Sequence, residues 1–349
     1  MEHACEKKEK KYDFDLLAMG ELLLRLSAPG NDRLVRGDTF NKQVGGAELN
    51  VLSTVSLLGL RTGIISRIPA NDIGQFVKNR IRFNGVSDDH LIFDDGRNAR
   101  TGLYYYESAA YPRKPRVIYD RAGSSFTGIS ASMFEESMYS GARCFHTSGI
   151  TLGLCENTRR TAMEMIHRFK ENGALISFDV NFRANLWSGE EARKCIEQIL
   201  PYVDIFFCSD STARLTFGKT GTPEEVMKSF TEEYPISIVA ATNRTVHSPK
   251  SHTFGSVLYN AVEKRFYTEE PYRNIEVVDR IGSGDAYVGG VLYGLLSEPD
   301  NCQRALEFGN AASAVKNTVP GDLPSSDYEE LSSVIRDHKN TGLQSEMSR

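Results

Sequence analysis

The chain has 349 residues, and 41 Lys plus Arg set against 46 Asp plus Glu leave a formal net charge of -5. That balance excludes the broad basic field that nucleic acids and anionic membranes require, and no apolar run is long enough to span a bilayer. The opening Met1-Glu2-His3-Ala4-Cys5-Glu6-Lys7-Lys8 lacks the apolar core of a secretory signal, so a cytoplasmic protein is expected.

Residues 1–12 read as a solvated tail, followed by an apolar strand over 14–20 that ends in Gly20-Glu21. A mostly apolar helix over 49–58 stops at Gly59, a strand follows at 63–66, and a helix starts at Asp72. Asp72 is expected to cap that helix, with Ile73, Phe76, Val77 and Ile81 on its buried face. The middle of the chain repeats the alternation: strand 144–148, helix 156–172, strand 174–180, helix 188–200, strand 204–208. The continuous apolar runs at 174–180 and 204–208 suit parallel strands covered on both faces. Then come a helix over 222–233, a strand over 236–241, hairpin-like strands near 256–268, and helices over 286–296, 301–316 and 325–338, with a second tail over 341–349.

Two stretches break this rhythm. Residues 22–44 and 100–123 are rich in Tyr, Arg and alternating charge, with turn signals at Pro29-Gly30 and between Pro112 and Pro115. Together they are expected to form a small antiparallel β lid over a core built from residues 13–21, 45–99 and 124–338. The whole reads as an α/β three-layer sandwich with a mostly parallel sheet, whose ligands bind at the carboxyl ends of the strands.

The six cysteines, Cys5, Cys144, Cys155, Cys195, Cys208 and Cys302, form no Cys-x-x-Cys pair and are expected as free thiols in a reducing compartment. No His-x-x-x-His spacing occurs, so no dedicated metal ligands are expected. His146, inside an apolar strand, reads as a hydrogen-bonded core residue.

The most informative segment is Val277-Val278-Asp279-Arg280-Ile281-Gly282-Ser283-Gly284-Asp285-Ala286. Its glycines permit a tight turn, and a helix opening near Asp285 aims its positive end at the same point, which makes an anion hole of Gly282, Ser283 and Gly284. A carboxylate there repels a phosphate unless its task is to take a proton from the attacking nucleophile. A dinucleotide fingerprint fails on spacing, because Tyr287 stands where its third glycine belongs. A plain capped helix start is the alternative.

Gly45-Gly46-Ala47-Glu48-Leu49-Asn50 and Asp179-Val180-Asn181-Phe182-Arg183 also fall at strand ends. With the 279–285 turn, which reads Asp-x-x-Gly-Ser-Gly-Asp, they resemble the two signatures of the ribokinase-like PfkB carbohydrate kinase family. Within that family the chain looks most like the 2-keto-3-deoxygluconate kinases. The similar segments are Thr101-Gly102-Leu103-Tyr104, Val117-Ile118-Tyr119-Asp120-Arg121, Leu186-Trp187 and Pro320-Gly321-Asp322.

The resemblance implies ATP-dependent phosphorylation of 2-keto-3-deoxygluconate at O6, with Asp285 as base. It assigns Gly45, Gly46, Asn50, Tyr104, Tyr119, Arg121, Arg183, Asp285 and Asp322 to the sugar, and Ser209, Thr242, Gly282, Gly284 and Asn310 to ATP. Magnesium is expected on the phosphates, potassium is left open, and a homodimer through the lid is implied. Chemistry supports an acid sugar independently, since the guanidinium forks of Arg121 and Arg183 suit a carboxylate; pairing with Asp120 or Asp179 is the alternative.

Two segments depart from the family. Ser209-Asp210-Ser211-Thr212 stands where Asn-x-x-Glu helps organise Mg-ATP, and Ala241-Thr242-Asn243-Arg244 replaces a glycine-containing turn. A fructokinase, a 2-ketogluconate kinase or a non-catalytic sugar or nucleotide sensor of the same fold are the other readings.

Overall fold

A computed structural model describes residues 12–340; Cys5 and the expected tails, Tyr12 apart, lie outside the described residues. A ten-stranded sheet forms the centre. From one edge its order is Arg265–Thr268, Ser251–Asn260, Ile238–Ser248, Ile205–Phe207, Leu175–Asp179, Ala142–Ser148, Phe14–Met19, Thr62–Pro69, Leu91–Asp94, with Tyr272–Glu276 paired to Ser251–Asn260 off this path. Every pairing from Ile238–Ser248 to Leu91–Asp94 is parallel.

Strand alternation divides the core in two. Leu17 and Met19 join Phe145, Phe169 and Ile176 on one face, while Leu16 and Ala18 join Leu52, Val55 and Leu292 on the other. Helix Glu156–Glu171 covers the first face through Ala162, Met165, Ile166 and Phe169, one apolar stripe at helical spacing. Phe169 stacks on Phe145 at 4.3 Å between ring centroids, so Phe169→Ala would cost about 3–5 kcal/mol. On the second face, helices Ser283–Ser297 and Cys302–Lys316 meet almost backbone to backbone. A Cβ on Gly290 would lie 2.5 Å from the Phe308 carbonyl, and one on Gly294 would lie 2.3 Å from the Ala305 Cα. Those glycines serve packing against a neighbouring helix.

Several expectations are corrected. Helix Asp72–Phe83 is capped by Asn71, whose side chain accepts from the Ile73 and Gly74 N–H groups; Asp72 lies inside the first turn. Ile73 is exposed, because the buried stripe runs through Gly74, Val77 and Ile81. The helix expected over 188–200 ends at Ile196, and Pro201 falls in the short 3₁₀ turn Leu200–Tyr202 that follows. The largest correction concerns 241–244, which is no turn. It lies within the long strand Ile238–Ser248, paired antiparallel with Ser251–Asn260, Arg244 opposite Phe254. The polar run Thr242-Asn243-Arg244-Thr245 hid this extension because the strand leaves the covered core there.

A separate four-stranded sheet has the order Asn41–Gly45, Leu23–Ser27, Gly102–Glu107, Arg116–Asp120. Its outer pairings are antiparallel, but Leu23–Ser27 and Gly102–Glu107 run parallel. Each of those two follows a parallel core strand, Phe14–Met19 or Leu91–Asp94, so both leave the core in the same direction.

Candidate active site

The carboxyl ends of Leu175–Asp179 and Ile205–Phe207, the 280–285 turn and one face of the small sheet enclose a cavity of about 700 Å³. Helix Ser283–Ser297 starts at Ser283, with Gly282 as its N-terminal cap in the left-handed region at φ 83°. A Cβ there would lie 2.2 Å from the Asp322 carbonyl, so glycine is required twice over. Gly284, by contrast, makes no turn: it is helical, and nothing lies within 4 Å of an added Cβ, which leaves open space before it. Among the described residues no acceptor reaches the N–H of Gly284 or Asp285, whereas the Ser283 N–H bonds the Arg280 carbonyl at 3.3 Å. Open donors at a helix start make an anion site.

Asp285 lines the cavity from this first turn. Asn50 donates to its Oδ2 at 2.7 Å and Asn181 to its Oδ1 at 3.4 Å. Asn181 holds φ 35°, an uncommon conformation for a residue with a side chain, at the end of strand Leu175–Asp179. Burial pushes the Asp285 carboxyl up, against the Asn50 hydrogen bond and the charge of Arg183. Glu21, Glu48, Asp179 and Asp322 line the same pocket, and the charge of Asp285 acts on Asp179 and Glu48. Asp179 is raised to about 7 by burial and then by Asp285. Glu48, also raised by burial, accepts from Ser148 at 2.6 Å and Thr151 at 2.8 Å. Both stood in the quoted motifs, and an acid beside a glycine pair or a strand end was the available signal.

The small-sheet side is paired internally. Arg25, absent from the sequence candidates, is 3% exposed and donates to Asp322 at 2.7 Å, to Asp279 at 2.5 Å and to Ser27 at 2.6 Å. Tyr104 donates its hydroxyl to Asp322 at 2.6 Å, and burial followed by Asp322 holds that hydroxyl protonated well above its usual range. Arg121 pairs with Glu21, while the expected alternative, Asp120, pairs with Arg100 at 2.8 Å. Consecutive residues at a strand end point to opposite sides, which separates Asp120 from Arg121. Tyr119 is half-exposed over the cavity, beside Tyr104.

The opposite side is open. Arg183 donates only to the Phe182 carbonyl at 3.1 Å and forms no ion pair with Asp179 among the described residues. Arg244 and Arg280, also unanticipated, line the same cavity with no carboxylate within 4.0 Å among the described residues. Burial, then repulsion from Arg280 and Arg183, holds the Arg244 guanidinium below its ordinary value. Ser209, Ser211, Thr212 and Thr242 complete this wall. The Ser209 hydroxyl caps helix Asp210–Phe217, accepting from the Thr212 N–H at 3.2 Å.

Gly46, Asn50, Gly282, Ser283 and Asp322 therefore join Asp285 on one cavity, but Gly45 and Asn310 do not. Gly45 packs against Asp322, whose Oδ2 would stand 1.9 Å from an added Cβ. Asn310 is fully buried on the inward face of its helix, accepting from Ser256 at 2.7 Å and donating to Glu269 at 2.8 Å. Asp210 turns away to Arg214 at 2.8 Å. His146 bonds Ser177 at 2.9 Å and is held down to about 3 by burial, as a core residue.

An α/β sheet of ribokinase-like fold, with a carboxylate in the anion turn at its strand ends, defines a sugar phosphotransferase. Residues 13–327 match the pfkB family carbohydrate kinases, and the chain belongs to that family. It is 32% identical over 323 residues to the 2-dehydro-3-deoxygalactonokinase of Haloferax volcanii, covering 92% of this chain and 96% of that one. It is 30% identical to the 2-dehydro-3-deoxygluconokinase of Thermoproteus tenax, covering 89% of this chain and 91% of the relative. Among solved structures, the 2-dehydro-3-deoxygluconokinase of Thermotoga maritima superposes with a TM-score of 0.87 at 29% identity, covering 92% of this chain and 99% of that one.

Proposed function

We propose that the chain transfers the γ-phosphoryl group of ATP to O6 of 2-keto-3-deoxygluconate. The observation that carries this reading is the Asp285 carboxylate, fixed by Asn50 and Asn181 in front of open helix-start N–H groups. In the reaction Asp285 accepts the proton of the sugar O6 hydroxyl as that oxygen bonds the γ-phosphorus and the bond to the β-phosphate oxygen breaks. The N–H groups of Gly284 and Asp285 take the charge that grows on the equatorial phosphoryl oxygens.

Arg244 and Arg280, which lack a carboxylate partner among the described residues, hold the triphosphate, with Ser209 and Thr242 alongside. Arg183 takes the sugar carboxylate, Tyr119 covers the ring, and the Asn50 Oδ1, buried without a partner, accepts from a sugar hydroxyl. Asp179, raised by burial and by Asp285 against the more distant charge of Arg183, is a carboxylate with no cation within 4.0 Å among the described residues. It fits a water-held magnesium ion, which neutralises phosphate charge when bound.

Segments 22–44 and 100–123 act in this reading as a lid on the core segments 13–21, 45–99 and 124–338. The exposed Val117, Ile118 and Tyr119 on the outer strand Arg116–Asp120 support pairing with a second copy there, which light scattering would test. Five free cysteines among the described residues suit a reducing cytoplasm. No helix of the described residues is long and apolar enough to cross a membrane.

ADP release measured over 2-keto-3-deoxygluconate, its galactonate epimer, 2-ketogluconate, fructose and ribose tests the assignment. The gluconate derivative is expected to give the highest kcat/KM; preference for a neutral sugar by about tenfold would overturn it.

A further inference from the structure

Lys316 is the last residue of helix Cys302–Lys316 and only 2% exposed, yet among the described residues it has no carboxylate within 4.0 Å. A buried ammonium without a partner is costly, so what it does touch is informative. Its Nζ donates to the Asp279 carbonyl at 3.4 Å and the Val319 carbonyl at 3.3 Å. These carbonyls belong to the two segments that shape the anion turn. The segments are laced together elsewhere: the Val278 and Asp279 N–H groups bond the Asn317 carbonyl at 2.8 and 3.1 Å, and the Gly321 N–H bonds the Asp279 carboxylate at 3.1 Å. Gly282 sits against the Asp322 carbonyl, so a shift of 319–322 moves the cap of the helix that carries Asp285.

The setting is also strongly acidic. Burial lowers the Lys316 pKa, while Asp279, Asp322 and Asp285 oppose that fall and Arg25 adds to it. Convergent carbonyls in an acidic setting are what a monovalent cation with a weakly held water shell binds, and an ammonium offers the same charge at similar size.

We infer that Lys316 is a tethered cation for the anion turn, a positioning residue that locks residues 279–282 to residues 319–322 and makes a free monovalent ion unnecessary there. The catalytic readout of this inference rests on the kinase assignment; the structural readout does not.

Wild type, Lys316→Ala and Lys316→Met are compared in chlorides of potassium, ammonium, lithium and tetramethylammonium at equal ionic strength. Wild-type turnover is expected to vary by less than about twofold across the salts, while Lys316→Ala in tetramethylammonium loses about tenfold or more in kcat with little change in sugar KM. Potassium or ammonium restores much of that loss and raises the Tm of Lys316→Ala, because the truncated side chain leaves room for the ion. Lys316→Met fills the space without charge and is not restored. Strong potassium activation of wild type, full turnover of Lys316→Ala, or a loss equal in all salts would overturn the inference. If neither variant folds, the wild-type salt series decides alone. If wild type phosphorylates no sugar, the kinase reading fails, and the salt dependence of Tm still judges Lys316.

Discussion

The two ends of the cleft are built on opposite plans. Beside the small sheet, the charged groups are satisfied within the protein: Arg25 with Asp279 and Asp322, Tyr104 with Asp322, Arg121 with Glu21. Across the cavity, Arg183, Arg244 and Arg280 face one another without carboxylates among the described residues. The difference separates shape from capture. A buried, internally paired network fixes geometry before a ligand arrives, whereas an unpaired cationic wall leaves its attraction for an anion unspent.

The sharpest break is at the junction of the two ends. Asp285→Asn is expected to lower kcat by about 10³-fold while sugar affinity, measured by calorimetry, stays near wild type. On the paired side, Arg25→Met leaves Asp279 and Asp322 buried without their partner. It should destabilise the fold by about 3–5 kcal/mol in urea titrations, whatever it does to turnover. The matching change on the open side has the opposite profile. Arg244→Met should raise the KM for ATP by about tenfold and leave stability within about 0.5 kcal/mol; a large loss of Tm would erase the distinction between the ends.

Arg183→Gln sharpens the comparison through pH. Burial raises the Asp285 carboxyl and the charge of Arg183 pulls it back, so removing that charge lets it rise further. A base works only when ionised, and the acid limb of the kcat profile must therefore move to higher pH; an unmoved limb would separate Arg183 from Asp285. The smallest effect belongs to Asn310→Ala. Its amide is held by Ser256 and Glu269 away from the cavity, so stability should fall by about 1 kcal/mol while the KM for ATP is unchanged.

Legibility along the chain followed the range of the interaction concerned. The apolar runs near 14–20, 174–180 and 204–208 announced covered parallel strands, and the glycine turn at 282 announced a helix start, which the structure shows with open N–H groups. The strand through 241–244 was missed because its alternation is polar on both sides, and a polar strand beyond the core has the composition of a loop. Asn310 was misplaced because a buried amide and an exposed one look alike in a helix without its neighbours. The resemblance pointed at Tyr104 and Asp322, but nothing in their spacing said that they would bond to each other.

The sequence by itself determined the alternating α/β plan, the turn carrying Asp285 and the family, because periodicity, glycine conformation and signature spacing are properties of short segments. Tertiary structure alone decided which charges neutralise each other and which stay open. Arg25 and Asp322 lie 297 positions apart and Asn50 and Asp285 lie 235 apart, and side-chain pairing over such separations depends on how the sheets and helices stack, which no local pattern encodes.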